Sequence, residues 1–176
     1  MNFVKFGIAI LLLSSVSSCK WEKQKKGIPE LAKNGESLIR VNKFLVNKDE
    51  ILIRNFVRRQ QWDMKATKSG LWYQIYQKGK GKKAEPGKIA VYNYSISLLD
   101  GTVCYHSKIG YPAHFRIGQG GVESGLEEGI LFLREGDKAR LIMPPYMAHG
   151  LLGDENKIPP LSVIVYDIEI VKIVDE

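Results

Sequence analysis

Few side chains in this sequence stand at the spacing that covalent or metal chemistry requires. Three histidines are present, His106, His114 and His149, and they lack the spacing of metal ligands. Cys104 precedes Tyr105 and His106, but adjacent residues on a strand point to opposite faces, so a buried structural thiol is favoured over a nucleophile. The sequence therefore predicts neither a metal site nor a cofactor.

A glycine-rich segment at residues 118–125 invites comparison with phosphate-binding loops. Its sequence is GQGGVESG, in which Glu123 occupies the place of the third glycine of GxGxxG. Neither a GxxxxGK[ST] motif nor a GxSxG nucleophile elbow occurs. A tight turn that leads into the N-terminus of a helix is the better interpretation.

The remaining aromatic, glycine and proline residues suit a reaction that uses no acid, base or nucleophile. Rotation about an X-Pro amide bond has a barrier of about 18–20 kcal/mol, because it breaks amide resonance. A catalyst needs an apolar pocket for the pyrrolidine ring, donors that hold the carbonyl while the amide twists, and exclusion of water. Prolyl isomerisation is therefore the activity that this composition favours.

The elements that would position such a pocket are mostly strands. From residue 71 apolar residues recur with a period of two, and the turn Asp100-Gly101 follows the longest run. The predicted strands are Leu71 to Ile75, Ala90 to Leu98, Ala139 to Met143 and Val163 to Ile173.

One short helix is predicted among these strands. Val122, Leu126 and Ile130 are spaced four apart, and Gly125 and Gly129 limit its length. Because no helices of about 10–15 residues separate the strands, the pattern predicts an α+β fold rather than βαβ units.

Two helical segments are predicted upstream, within residues 37–62. Apolar residues recur at helical spacing in each: Leu38, Val41 and Leu45, then Leu52, Phe56 and Val57. Asn47 and Glu50 resemble a capping box between the segments. Neither segment carries catalytic residue types. We therefore interpret residues 37–66 as a helical extension for packing or homodimerisation.

The N-terminus has the layout of a lipoprotein signal peptide. Lys5 precedes the apolar run 6–13, and the segment Val16-Ser17-Ser18-Cys19 matches a bacterial lipobox. This pattern predicts cleavage after residue 18, diacylation of the Cys19 thiol and a polar tether over residues 19–36. Two acyl chains would anchor the chain stably to a membrane. A plain secretion signal and an N-terminal anchor helix are the alternatives.

Residues 85–173 resemble the FKBP-type peptidyl-prolyl isomerase family. The segments that carry the resemblance are Val91–Tyr94 with Leu99–Gly101, Phe115–Gly118, Val122–Gly129, Arg134–Ala139, Pro144–Pro145 with Ala148–Gly150, Ile158–Pro160 and Val165–Glu169. With the lipobox, the helices and the loop 151–157, the whole chain is similar to FKBP-type lipoproteins associated with gliding motility.

The resemblance implies a bent antiparallel sheet wrapped over one short helix, with a proline pocket between them. Tyr94 would form a pocket wall and Tyr166 would close the apolar side. Val122 would begin the helix, and the backbone N–H of Glu123 would bind the substrate carbonyl. His149 would donate a hydrogen bond where the family usually has Tyr. The implied substrate-binding residues are Cys104, Tyr105, Phe115, Val122, Leu126, Ala148 and Ile158, with Leu126 as the pocket floor.

Four positions depart from the family pattern. Cys104 and Tyr105 replace a usual Phe-Asp pair, Ala113 replaces an aromatic residue, and Gly121 replaces Glu. These replacements predict a wider and less polar pocket, with weak catalysis and poor macrolide affinity.

The net charge of +7 is unevenly distributed. Residues 1–84 contain 18 basic and 6 acidic residues, whereas residues 85–176 contain 8 and 13. The acidic pocket domain argues against nucleic-acid binding, and the basic part lies nearest the predicted lipid anchor.

These observations combine into one functional prediction. We expect an FKBP-type prolyl isomerase with its domain at residues 71–176, lipid-anchored in the bacterial envelope, on the periplasmic side of the outer membrane or at the cell surface. Its partners would be proline-containing polypeptides of the envelope or motility machinery. The alternatives are a non-catalytic chaperone that binds proline segments and a structural component of the gliding machinery.

Overall fold

The computed structural model of the protein describes residues 35–175. The signal peptide predicted over residues 1–18, the lipidated Cys19 and all but the end of the tether lie outside the described residues. The elements are α1 (Gly35–Gln60), β1 (Lys65–Ala66), β2 (Trp72–Gln77), β3 (Ile89–Leu98), β4 (Val103–His106), β5 (Ala113–Arg116), α2 (Ser124–Ile130), β6 (Lys138–Met143), a 3₁₀ turn (Pro145–Met147) and β7 (Ile164–Val174). The predicted α+β class and the four predicted strands are confirmed.

The strands form one antiparallel sheet with the order β1-β2-β6-β7-β3-β4. β3 is the central scaffold, because it pairs with β7 along its whole length. On its other side, β5 pairs with residues 89–92 of β3 and β4 pairs with residues 95–97. The long strand therefore holds two short ones end to end.

Both faces of the sheet are covered. Alternate residues of β6 and β7, among them Leu141 and Tyr166, pack with α2 in the main core, and we call this the inner face. The residues between them, such as Ile142 and Val165, pack against α1 on the outer face. Full burial of each large aliphatic side chain contributes about 1.5–3 kcal/mol, so each helix is held by several kcal/mol of apolar contact.

α2 lies close to β6 because two of its residues are glycines. A Cβ atom at Gly125 would stand 2.7 Å from Met143 Cγ, and one at Gly129 would stand 2.7 Å from Leu141 Cδ1. The prediction that Val122 begins this helix is wrong by two residues. Glu123 is the N-cap, with an extended backbone of φ −61° and ψ 142°, because the chain straightens as it leaves the glycine turn.

α1 is one continuous helix, so the predicted break at residues 47–50 is wrong. Helical apolar spacing continues on both sides of that segment, and Glu50 forms an i,i+4 ion pair with Arg54 instead of capping a second helix. A capping box needs the chain to leave the helical conformation before it, and residues 35–46 are already helical.

A Schellman motif ends α1. Gln61 adopts φ +55°, its N–H donates to Arg58 O at 3.2 Å, and Trp62 N–H donates to Val57 O at 3.2 Å. The Trp62 ring packs edge-on against Phe56, with centroids 5.5 Å apart. This cap directs the chain onto the edge of the sheet, where β1 pairs with β2.

Among residues 35–175, no helix has the length and hydropathy needed to cross a membrane.

Candidate active site

An aromatic cluster on the inner face of the sheet forms the wall of the candidate site. Tyr92 and Tyr94 lie on β3, and their ring centroids are 5.7 Å apart. The ring of Tyr166 on β7 lies 5.9 Å from Tyr94, and Phe115 on β5 meets Tyr92 edge-on at 5.8 Å. Such pairs contribute about 0.5–1.5 kcal/mol each beyond their burial, which stabilises the wall.

The structure brings the apolar site residues together in this one cluster. Leu126, at the start of α2, is fully buried and belongs to the main core together with the aromatic residues. Other members of that core or its edge are Cys104, Tyr105, Phe115, Val122, Ala148 and Ile158. The residues that sequence reasoning selected therefore share one location. Tyr92 was missed, although its position two residues before Tyr94 places both on the same strand face.

Glu123 places a carboxylate in the site. As the N-cap it makes no side-chain cap bond; its side chain instead accepts hydrogen bonds from the Tyr166 hydroxyl at 2.9 and 3.0 Å. The side chain is only 14% exposed. Burial and then the Glu123 charge raise the pKa of Tyr166, and the same two causes raise the pKa of Tyr92. Both phenols therefore remain neutral hydrogen-bond donors at physiological pH.

His149 approaches the same carboxylate from the segment after β6. Its Nε2 atom lies 3.2 Å from Glu123 Oε1, within ion-pair distance. That nitrogen is buried and does not meet the geometry of a hydrogen bond. Attraction between the two side chains therefore depends on a positive charge on the imidazole.

That the pocket is less polar than is usual for the family stays a prediction. The Glu123 carboxylate and the Tyr166 hydroxyl both lie on the inner face of the sheet. The prediction counted the departures from the family pattern but used only the backbone N–H of Glu123. It could not foresee that the side chain of an N-cap residue turns toward the sheet.

Cys104 and Tyr105 differ in their surroundings, as alternation along β4 predicts. Cys104 is 2% exposed, with its thiol near the carbonyl of Lys157 at 3.6 Å, and burial raises the pKa of the thiol. The predicted buried structural cysteine is confirmed. The Tyr105 hydroxyl donates to Asp154, and the Lys157 ammonium lies 5.2 Å from the Tyr105 ring centroid.

Asp154 was not predicted and fixes the loop that follows His149. Besides the Tyr105 hydroxyl, its carboxylate accepts the N–H groups of Asn156 at 3.0 Å and Ile158 at 2.7 Å. These hydrogen bonds, led by that of Tyr105, lower the pKa of Asp154 to about 2. The usable sequence signal was the turn-forming segment 153–156, GDEN, in which an Asp side chain commonly bonds the N–H two residues on.

The other polar candidates lie apart from this site. His106 and His114 are exposed on β4 and β5. Within residues 35–175, no group of three or more histidine, cysteine, aspartate or glutamate side chains is arranged to hold a metal ion.

Comparison with known proteins gives a consistent match over this domain. The sequence model of the family described as "FKBP-type peptidyl-prolyl cis-trans isomerase" matches residues 80–171. The isomerase FkpA of Escherichia coli (strain K12) is 35% identical over 111 residues, which cover 62% of this chain and 40% of that protein. FKBP53 of Arabidopsis thaliana is 37% identical over 97 residues, or 54% of this chain and 20% of that protein. The chain thus spans less than half the length of these curated relatives.

Solved structures agree with the sequence comparison. The crystal structure of FkpA from Escherichia coli superposes with a TM-score of 0.64 and 28% identity, covering 79% of this chain and 65% of that one. The crystal structure of AtFKBP13 gives a TM-score of 0.60 and 31% identity, covering 64% of this chain and 99% of that one.

Proposed function

This chain belongs to the FKBP-type peptidyl-prolyl cis-trans isomerase family, and we propose that it accelerates rotation about X-Pro bonds in polypeptide clients. The observation that carries the proposal is the aromatic wall of Tyr94, Phe115 and Tyr166 together with a fully buried Leu126. In this proposal, a proline side chain is removed from water against these apolar residues.

The proposed mechanism needs no bond to the protein. A proline ring resting on Leu126 between the aromatic rings fixes one side of the amide, while the backbone N–H of Glu123 holds a substrate carbonyl. Removal of water favours the twisted amide, because water stabilises the planar, charge-separated form. Each 1.36 kcal/mol removed from the barrier of about 18–20 kcal/mol raises the rate tenfold.

The test of this activity is an isomerisation assay. The full chain, produced in a bacterial host and purified in detergent, is added to a Pro-containing peptide with the cis isomer in excess. We expect relaxation faster than in buffer and proportional to protein concentration. Folded protein that leaves the rate unchanged would contradict the enzymatic function.

A holding chaperone is the second candidate function, and one surface feature favours it. A groove of about 320 Å³ runs between α1 and the segment after β6, lined in part by Leu45, Tyr146 and Leu151. Exposed apolar side chains also stand on neighbouring loops, including Ile109 and Leu152. A chaperone should suppress aggregation of an unfolded client even when Leu126→Ala has removed isomerisation.

We further propose that the domain is tethered to the cell envelope through a lipidated Cys19 and serves envelope or motility proteins. The lipobox and the polar segment after it support this location. Mass spectrometry of the N-terminal peptide should show acylation, and Cys19→Ala should move the protein from the membrane fraction to the soluble fraction. If cells carrying Tyr94→Ala with Leu126→Ala kept normal motility, a structural role in the gliding machinery would be preferred.

Basic residues of α1 are proposed to contact anionic lipid headgroups. Lys43, Lys48, Arg58 and Arg59 are all exposed on this helix. Each basic residue near an anionic surface contributes about 1 kcal/mol. Binding to liposomes should therefore rise with their anionic lipid content, and binding independent of that content would exclude this contact.

Homodimerisation through α1 is also proposed. The N-terminal half of the helix exposes apolar side chains, among them Leu38, Ile39 and Phe44. Exposed apolar surface of this kind is typical of interaction sites. The corresponding test is described with the whole molecule below.

A further inference from the structure

The Glu123 carboxylate is an unusual component of a pocket built for a proline ring. It is 14% exposed, and the Tyr166 hydroxyl holds it in place on the inner face of the sheet. Removing a carboxylate from water is costly unless a cation or several donors compensate it. The neutral Tyr166 phenol compensates only part of this cost.

The surroundings of Glu123 supply little positive charge. From β3 and β7 it is approached by the neutral phenols of Tyr92 and Tyr166, which supply no charge. Among residues 35–175, the ion-pair partner of Glu123 is His149, whose Nε2 is not aligned for a hydrogen bond. Asp154 also attracts the charge of a protonated His149. A neutral imidazole would leave the carboxylate without the positive charge of His149.

The neighbouring rings are suited to the same ligand. Tyr94 is partly exposed, and its ring lies 5.9 Å from that of Tyr166, whose hydroxyl contacts the carboxylate. The face of an aromatic ring attracts ammonium and guanidinium groups. Residues 85–176 carry five more acidic than basic residues, which favours approach of a cationic segment.

Building on the proposed isomerase function, we infer that the pocket selects prolyl segments in which Lys or Arg stands directly beside the proline, with Glu123 as the specificity-determining residue. The side chain of that basic residue reaches the carboxylate while the proline ring occupies the apolar floor. An acidic neighbour is repelled, and an aliphatic neighbour adds no cation to the partners that Glu123 already has, Tyr166 and His149. A charge-assisted contact of this kind corresponds to about a tenfold preference.

The test uses peptides that differ only in the residue before or after the proline, which is Lys, Leu or Glu. Isomerisation and binding, the latter by fluorescence anisotropy, are measured in parallel with the full chain. We expect kcat/KM and affinity to be about tenfold higher for Lys than for Leu at one of the two positions, and lowest for Glu.

Two variants assign the preference to the carboxylate. Glu123→Gln keeps the size of the side chain and an acceptor for the Tyr166 hydroxyl but removes the negative charge. The ratio of kcat/KM for the Lys peptide to that for the Leu peptide should therefore fall to about one. His149→Lys supplies an internal cation and should reduce the ratio while Glu123 remains. The matched control is Glu155→Gln, which removes one negative charge from the exposed loop that follows His149. It should leave the ratio unchanged.

The outcomes separate the two proposals. No acceleration of any peptide would contradict the isomerase function, and the anisotropy data would then still test the selectivity. Acceleration with equal kcat/KM and equal binding for Lys, Leu and Glu peptides would overturn the selectivity alone. A Lys preference that survives in Glu123→Gln would remove Glu123 as its cause.

Discussion

The carboxylate of Asp154 links strand β4 to the loop that follows His149. It accepts the hydroxyl of Tyr105 on β4 and two backbone N–H groups of its own loop, including that of Ile158. Ile158 is buried in the main core beside the pocket residues. The position of this part of the pocket therefore depends on the ionised state of a residue that does not line it.

Protonation of Asp154 should weaken the fold in acid. Its pKa is about 2 in the folded protein, below the ordinary value of 3.8. A lowered pKa means that the stabilisation is fully present above pH 3.8 and is lost as the pH falls toward 2. Asp154→Asn should therefore lower stability at pH 7, and its difference from wild type should shrink between pH 4 and pH 2. Urea denaturation across this range measures it, and a constant difference would contradict the assignment.

Leu126 should affect both stability and activity when truncated. It is fully buried in the main core and is the proposed floor of the pocket, so Leu126→Ala should cost about 2–5 kcal/mol and leave a cavity where the proline ring is proposed to rest. We expect kcat/KM to fall at least tenfold per folded molecule, because the ring loses its contact surface.

The matched control is Leu133→Ala. Leu133 is equally buried in the same core but follows the end of α2, away from the pocket. Its truncation should cost a similar free energy of unfolding with little loss of kcat/KM per folded molecule. Equal activity losses in both variants would mean that Leu126 acts only through stability.

At the scale of secondary structure, α2 reaches the inner face only because its glycines lack side chains. Helix propensity predicts that Gly129→Ala stabilises the helix by about 1 kcal/mol. The new Cβ would, however, stand 2.7 Å from Cδ1 of the fully buried Leu141, and overpacking of this kind costs about 1–3 kcal/mol. We expect the steric cost to prevail and Tm to fall.

A double-variant cycle isolates that contact. Leu141→Val removes the atoms nearest the added methyl group, so the pair Gly129→Ala with Leu141→Val should be less destabilised than the sum of the single variants. Strict additivity would show that the clash is relieved elsewhere, and a rise in Tm for Gly129→Ala alone would show that propensity prevails.

The elements differ in how far the sequence predicts them. β3 and β7 carry a local signal, period-two alternation, and were found close to their true bounds. The pairing of β3 with β7 joins segments about 75 residues apart, and local periodicity contains no information on such contacts. The break predicted in α1 was wrong because it relied on a local signal, the residues Asn47 to Glu50. The apolar periodicity on both sides and the packing of the helix keep α1 continuous.

The same distinction applies to the site. Resemblance placed Tyr94, Leu126 and Tyr166 in one region, and the structure brings them together there. The contacts of the Glu123 side chain and the hydrogen bond from Tyr105 to Asp154 join residues 43 and 49 positions apart. They depend on the direction of a side chain at an N-cap and on the path of a loop, which alternation and spacing do not report.

At the scale of the whole molecule, α1 has two environments along its length. Its C-terminal half packs Ile53, Phe56 and Val57 against the outer face of the sheet. Its N-terminal half exposes Leu38, Ile39 and Phe44. One half is thus part of the domain core, and the other offers an apolar surface to a second molecule.

Two identical substitutions on this helix separate the two roles. Phe56 is 6% exposed and Phe44 is 67% exposed. Phe56→Ala should lower the free energy of unfolding by about 3–5 kcal/mol, because it leaves a cavity between α1 and the sheet and removes the contact with Trp62. Phe44→Ala should change the stability of the monomer by no more than about 0.5 kcal/mol, as is usual for exposed positions.

Dimerisation should be affected by Phe44→Ala and not by Phe56→Ala, the reverse of their effects on stability. If the exposed half of α1 forms the proposed homodimer, Phe44→Ala should raise the dimer dissociation constant in sedimentation equilibrium. At a temperature where Phe56→Ala is folded, that variant should dimerise like the wild type, because its change lies against the sheet. Two results would show that α1 serves the stability of a single domain rather than assembly. One is a wild-type chain that remains monomeric throughout a 100-fold concentration series that ends in the high micromolar range. The other is a dimer whose dissociation constant does not change in Phe44→Ala.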